Sequence, residues 1–146
     1  MSLAPQKFRE IVFQLLYSSD FEGGFEEEMI PFMMHELKVT KRIMLDAAAR
    51  KTSVQTQYAE IDEKIRTAST EYTFERISRV EKTILRLGLF ELLFDEAIPH
   101  KVAIAEAIRL CRKFGSPESS QFVNAILDSV YKAKHGLAVS AQTSVE

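Results

Sequence analysis

Apolar residues recur along this chain in steps of three and four, the period of a helix with one buried face. No stretch shows the strict alternation of a half-buried strand. From about Gln6 to Ser19 the stripe is Phe8, Ile11, Val12 and Leu15, widened by Leu16. Phe13 and Tyr17, an i, i+4 pair, project from roughly the opposite side, where they either pack under a neighbouring helix or form a partner-binding face. Gly23-Gly24 interrupts the pattern. Glu26-Glu27-Glu28 then suits a first helical turn, because carboxylates complement the helix dipole, and Met29, Ile30, Phe32, Met33 and Leu37 supply the apolar side.

A long stripe follows from about Thr40 to Ser69: Ile43, Ala47, Val54, Tyr58, Ile61, Ile65 and Ala68. It reads as one long helix or as two hinged near Lys51-Thr52-Ser53. Thr70 to Ile77 is a connection carrying Tyr72 and Phe74. Ser78 and Glu81 form a capping box that opens a helix to about Phe94, apolar nearly all round from Ile84 onward and so suited to the centre of a bundle. Val80, Ile84 and Leu87 share a side with Glu91, a carboxylate that burial obliges to find a partner. Lys82, Thr83 and Arg86 share the other side with Phe90 and Leu93, a face covered by another helix of the chain or by a different protein. Pro99 marks the next boundary, then Ile104, Ala107, Ile108 and Cys111 make a stripe that ends at the C-cap residue Gly115. Ser116-Pro117 restarts a helix with preferred cap and first-turn residues, and Val123, Ile126, Leu127 and Val130 form its stripe, with Phe122 at the margin.

The pattern predicts an all-α protein of about six or seven helices in two helical subdomains, about 5–75 and 76–135, forming one domain over 1–135. Residues 136–146 lack periodicity and are expected to be a disordered tail.

Composition narrows the function by exclusion. Nineteen Lys and Arg against 21 Asp and Glu give a net charge of -2, not the basic balance of a nonspecific nucleic-acid binder. Any such binding needs a local patch or a partner. One cysteine permits no internal disulfide, and no apolar run nears the roughly 20 residues that span a bilayer. The N-terminus has no secretory apolar core either, so a cytoplasmic protein without a membrane role is expected. The histidines His35, His100 and His135 stand apart from one another and from Cys111, so no metal site is expected. Phosphate-loop, dinucleotide and nucleophile-elbow motifs are absent. A binding protein without cofactor or catalytic residues is the expectation.

Four blocks then stand in order: Arg79-Val-Glu-Lys-Thr-Ile-Leu-Arg-Leu-Gly-Leu-Phe-Glu-Leu-Leu, Ile98-Pro-His-Lys-Val-Ala-Ile-Ala-Glu-Ala-Ile, Lys113-Phe-Gly and Gln121-Phe-Val-Asn-Ala-Ile-Leu-Asp. Their order and spacing closely resemble the C-terminal half of the NusB family of bacterial transcription antitermination factors. Arg9-Glu-x4-Gln14-x-Leu16-Tyr17 is similar to that family's opening helix, and the resemblance covers roughly residues 5–132.

The resemblance implies an all-helical fold of two packed three-helix-type subdomains, in a factor that pairs with the ribosomal protein NusE, binds boxA single-stranded RNA and joins the RNA polymerase antitermination complex in ribosomal RNA transcription. It implies RNA contacts at Lys7 and Arg9 in the opening helix and at Glu118, Ser119, Gln121 and Phe122 in the last one. Lys7 and Arg9 are all the positive charge that Pro5-Gln6-Lys7-Phe8-Arg9 keeps of the family's arginine-rich segment, and Gln121 stands where relatives often carry lysine. The implied NusE-facing surface is Tyr17, Glu81 and Arg86, with Phe13 and Phe90 as neighbours. Set against these are plainer roles: a solvated helix end for Lys7 and Arg9, marginal packing for Phe122, and the capping box for Glu81. The alternative function is a non-enzymatic helical adaptor with little intrinsic RNA binding. Whether the free protein forms a homodimer stays open.

Overall fold

The computed structural model describes residues 3–20 and 26–136, and no strand occurs among them. Their helices are α1 (Pro5–Ser19), α2 (Glu26–Leu37), α3 (Lys41–Thr56), α4 (Tyr58–Ala68), α5 (Arg79–Phe94), α6 (His100–Phe114) and α7 (Pro117–Lys134), with a 3-10 turn at Phe74–Arg76. Gly23-Gly24 and all but the first residue of the expected tail lie outside the described residues.

Two compact units form, Met1–Thr56 and Gln57–Glu146. In the first, α1, α2 and α3 all touch one another. Ile11, Val12, Leu15 and Leu16 of α1 and Met44, Ala47 and Val54 of α3 are buried there. Within α2, Met33 is buried but Phe32 is 62% exposed, so the apolar side expected of this helix is not wholly a core face. Pro31 also removes one amide from the hydrogen-bond ladder of that helix.

The stripe from Thr40 to Ser69 is two helices. The break falls at Gln57 (φ -103°, ψ 8°), beyond Lys51-Thr52-Ser53, which stays helical. Thr52 and Ser53 return their hydroxyls to the carbonyls of Ala48 and Ala49, four residues back, and so cause no break. The division between units therefore precedes α4, one helix before Thr70–Ser78, because α4 packs on α5 and α7 with Ile61 and Ile65 buried.

In the second unit α5 touches α4, α6 and α7. Its capping box forms: the Glu81 amide donates to Ser78 Oγ at 3.1 Å and the Ser78 amide to Glu81 Oε1 at 3.3 Å. From Thr83 to Leu92 every residue but Arg86 is buried, including Glu91 at 3% exposure, which is engaged in a polar interaction. At Gly88 the helices approach one another closely. A Cβ there would meet Leu127 of α7 at 3.4 Å and Ala107 of α6 at 3.5 Å. That approach explains a rotation in α6, whose buried face is Ala103, Ala107, Leu110 and Cys111, with Ile104 and Ile108 half-buried at its margin. Small side chains face the tight contact and the branched ones sit beside it. The stripe of α7 is buried as expected.

Arg86 fastens α4 to α5. Its Nε and Nη2 donate to the two carboxylate oxygens of Asp62, both at 2.9 Å, and the side chains are only 12% and 15% exposed. The guanidinium also lies 4.1 Å from the centroid of the Tyr58 ring and 5.7 Å from that of Phe74. Asp62→Ala strands a mostly desolvated cation, at about 2 kcal/mol, somewhat less than for a fully buried pair. The expected outcome is a Tm lowered by about 4–8 °C in calorimetry, with Asp62→Asn closer to the unaltered chain.

Cys111 is fully buried, and burial first, then the Glu81 charge, pushes its thiol up to about 11. Burial thus favours the protonated form, so its contribution to stability is complete below the unfolded value near 9.0 and is lost as pH rises toward 11. Stability measured by urea titration is expected to fall across that window more steeply than in Cys111→Ala.

Candidate functional site

The start of α7 is built by its cap. Ser116 Oγ accepts the Ser119 amide at 3.2 Å and lies 3.1 Å from Ser119 Oγ, with Pro117 in the first turn. Ser119 is consequently 6% exposed and faces its cap, whereas Glu118 and Gln121 are exposed. One turn on, Phe122 is 9% exposed and meets Tyr72 edge-on, with ring centroids 5.3 Å apart and planes at 71°. Tyr72 itself is 48% exposed.

A groove of about 500 Å³ runs over this pair, and Glu71, Glu81, Glu118 and Gln121 line it. No lysine, arginine or histidine is among the lining residues. Chemically the groove offers aromatic surface and hydrogen-bond acceptors, and its carboxylates oppose a phosphate. The positive end of α7 is the one countervailing feature. Glu81, expected on the partner surface, thus borders the groove of Glu118, Gln121 and Phe122 while also closing the capping box.

The other expected residues are distributed as follows. Lys7 is exposed in the first turn of α1, while Arg9 is 9% exposed and already engaged. Two residues apart on a helix, they point about 200° away from each other. Phe13 is buried and stacks on half-buried Tyr17 at 6.0 Å. Phe90 is buried and lies 5.8 Å from Phe94. Arg86 is held by Asp62. Tyr17, Glu81 and Arg86 are the members of that set that keep accessible surface, each half-buried.

Sequence reasoning placed Tyr72 and Phe74 in a connection and gave them no role. Phe74 is a cation seat, with the Arg66 guanidinium and the Lys82 ammonium each 4.4 Å from its ring centroid. The one available signal was two aromatics spaced i, i+2 in an otherwise polar loop. Among the described residues no group of three His, Cys, Asp or Glu is arranged to hold a metal ion. No described helix is long and apolar enough to cross a membrane.

Comparison with known proteins bears on all of these elements. The model of the NusB family matches residues 6–132. The transcription antitermination protein NusB of Chlamydia pneumoniae is 36% identical over 126 residues, covering 86% of this chain and 79% of that one. The crystal structure of T. maritima NusB is similar with a TM-score of 0.75 at 28% identity, covering 99% of each chain. A crystal structure of the antitermination factors NusB and NusE in complex with double-stranded RNA is similar with a TM-score of 0.73 at 26% identity, covering 88% of this chain and 96% of that one. Helical pattern, capping box and the match from α1 through nearly all of α7 lead to one conclusion: the chain belongs to the NusB family.

Proposed function

We propose that this protein is a transcription antitermination factor that binds boxA RNA as a heterodimer with NusE and promotes processive ribosomal RNA transcription. The observation that carries this reading is the family match over residues 6–132, which takes in every helix of the described residues, all but the outermost residues of α1 and α7 included. The similarity to a NusB–NusE–RNA complex supports the choice of partners. The role is non-enzymatic and belongs to the cytoplasm, where bacterial transcription takes place.

In this reading NusE is met in the first unit by Tyr17, which stacks on Phe13, and in the second by the α5 residues Glu81, Arg86 and Phe90, of which Glu81 also borders the groove at α7. RNA meets Lys7, Glu118, Gln121 and Phe122, while Ser119 is turned into the cap of α7 and Arg9 is buried and already engaged. Affinity rests less on phosphate neutralisation than on stacking and base-edge contacts, because the groove at α7 has no cation. The same fact favours a second reading, a helical adaptor that binds NusE and leaves RNA recognition to it.

Fluorescence anisotropy on labelled boxA and scrambled RNA, with and without NusE, at two salt concentrations, separates the two. Selective binding that needs NusE and weakens with salt is expected; equal binding of both RNAs by the NusE complex establishes the adaptor. Gln121→Lys puts one cation beside the acidic groove. It is expected to strengthen boxA binding severalfold at low salt and to steepen the log–log salt slope by about 0.7, the value for one added phosphate contact on a single strand.

A further inference from the structure

The loop that carries Tyr72 is short and tied at both ends. The Ser69 amide donates to the Ile65 carbonyl at 2.8 Å, Ser69 Oγ donates to the Tyr72 carbonyl at 2.6 Å, and the Arg76 amide donates to the Thr73 carbonyl at 2.9 Å. Tyr72 is therefore an exposed aromatic on a constrained backbone. Its T-shaped contact with Phe122 occupies at most one of its two faces. A fixed ring with an open face loses little conformational entropy when something stacks on it.

Two grooves share this loop. The one over Phe122 is bordered by Glu71, Glu81 and Glu118. The second, about 400 Å³, shares Ser69 to Tyr72 and includes Arg66 and Phe74. Arg66 is half-exposed, steadied by the Phe74 ring at 4.4 Å and 4.0 Å from Glu63. Carboxylates exclude a phosphodiester from the first groove but accept hydrogen bonds from exocyclic amines, as acidic side chains do from cytosine. Uracil presents two carbonyl oxygens around a single N–H and meets those carboxylates poorly. The cation in the second groove suits a phosphate.

We propose that Tyr72 is a nucleobase platform: one unpaired base of single-stranded RNA stacks on its open face. That base turns its amino edge toward Glu81 and Glu118, while Arg66 holds the adjoining phosphate. The site selects adenine, cytosine or guanine over uracil at one position. The inference deepens the RNA-binding reading and rests on it.

The test uses the full chain with NusE and labelled single-stranded boxA RNA, read by anisotropy. Tyr72→Phe keeps the ring and is expected to bind within about twofold of the unaltered chain. Tyr72→Leu keeps an apolar cover on Phe122 but no stacking face, and is expected to weaken binding about tenfold or more. RNAs with a single amino-bearing base replaced by uracil supply a readout that a merely structural role does not move. In the unaltered chain one such position costs affinity, and in Tyr72→Leu that cost shrinks to within twofold. Tyr72→Leu binding within twofold of the unaltered chain overturns the platform, as does a uracil cost of the same size in both proteins. Failure of the unaltered heterodimer to bind boxA overturns the platform together with the proposed function, and is distinct because it precedes any substitution.

Discussion

A guanidinium taken almost wholly out of water decides the local architecture of the second unit. Arg86 projects from α5 on a side that would otherwise need solvent, and Asp62 of α4 neutralises it through two 2.9 Å hydrogen bonds. The pair sits between aromatic rings, Tyr58 and Phe74, so α4 and the 3-10 turn are both gathered to one cation. Ends of α4 and of that turn bound the loop holding Tyr72, and Tyr72 is the edge against which Phe122 rests. A buried pair of this kind adds little net stability over apolar residues, but breaking it is costly. Its role here is geometric.

Much of this was legible in the sequence, and the remainder was hidden for identifiable reasons. Helix existence followed from period and caps: Ser78 with Glu81, Ser116 with Pro117 and Gly115 all stand at ends where their chemistry belongs. Register was less secure where packing was tightest. In α6 the larger Ile104 and Ile108 suggested the core stripe, but close approach at Gly88 favours Ala107 there, and Ala103, Leu110 and Cys111 share its buried face. Hydrophobicity ranks residues by transfer energy, whereas a tight helix contact selects by volume. The break at Gln57 left no turn signature, neither glycine nor proline, and so could not be positioned.

The candidate site shows the same division. Exposure of Gln121 and Glu118 and the marginal burial of Phe122 follow from their places on α7. Burial of Arg9 and capture of Arg86 do not, because each depends on neighbours far away in sequence or on interactions a single helix does not reveal. A charged residue on a helix side carrying apolar neighbours signals a contact without naming who makes it. Here Asp62, 24 positions away, answers for Arg86.

Charge gives the site its character. A phosphate-led interface needs cations aimed outward, and this chain has spent several of its own on intramolecular partners: Arg86 on Asp62, Lys132 on Asp128, Arg109 on Glu106. The groove at α7 is bordered by Glu71, Glu81 and Glu118, with no lysine, arginine or histidine among its lining residues. Such a surface repels bulk RNA and therefore discriminates against nonspecific binding, at the expense of affinity. What it can still attract is the neutral, amine-bearing edge of a base already freed from pairing, stacked on an aromatic ring. On the function proposed above, a partner carrying cations would complete this surface, and the acidic groove would make RNA binding depend on that partner.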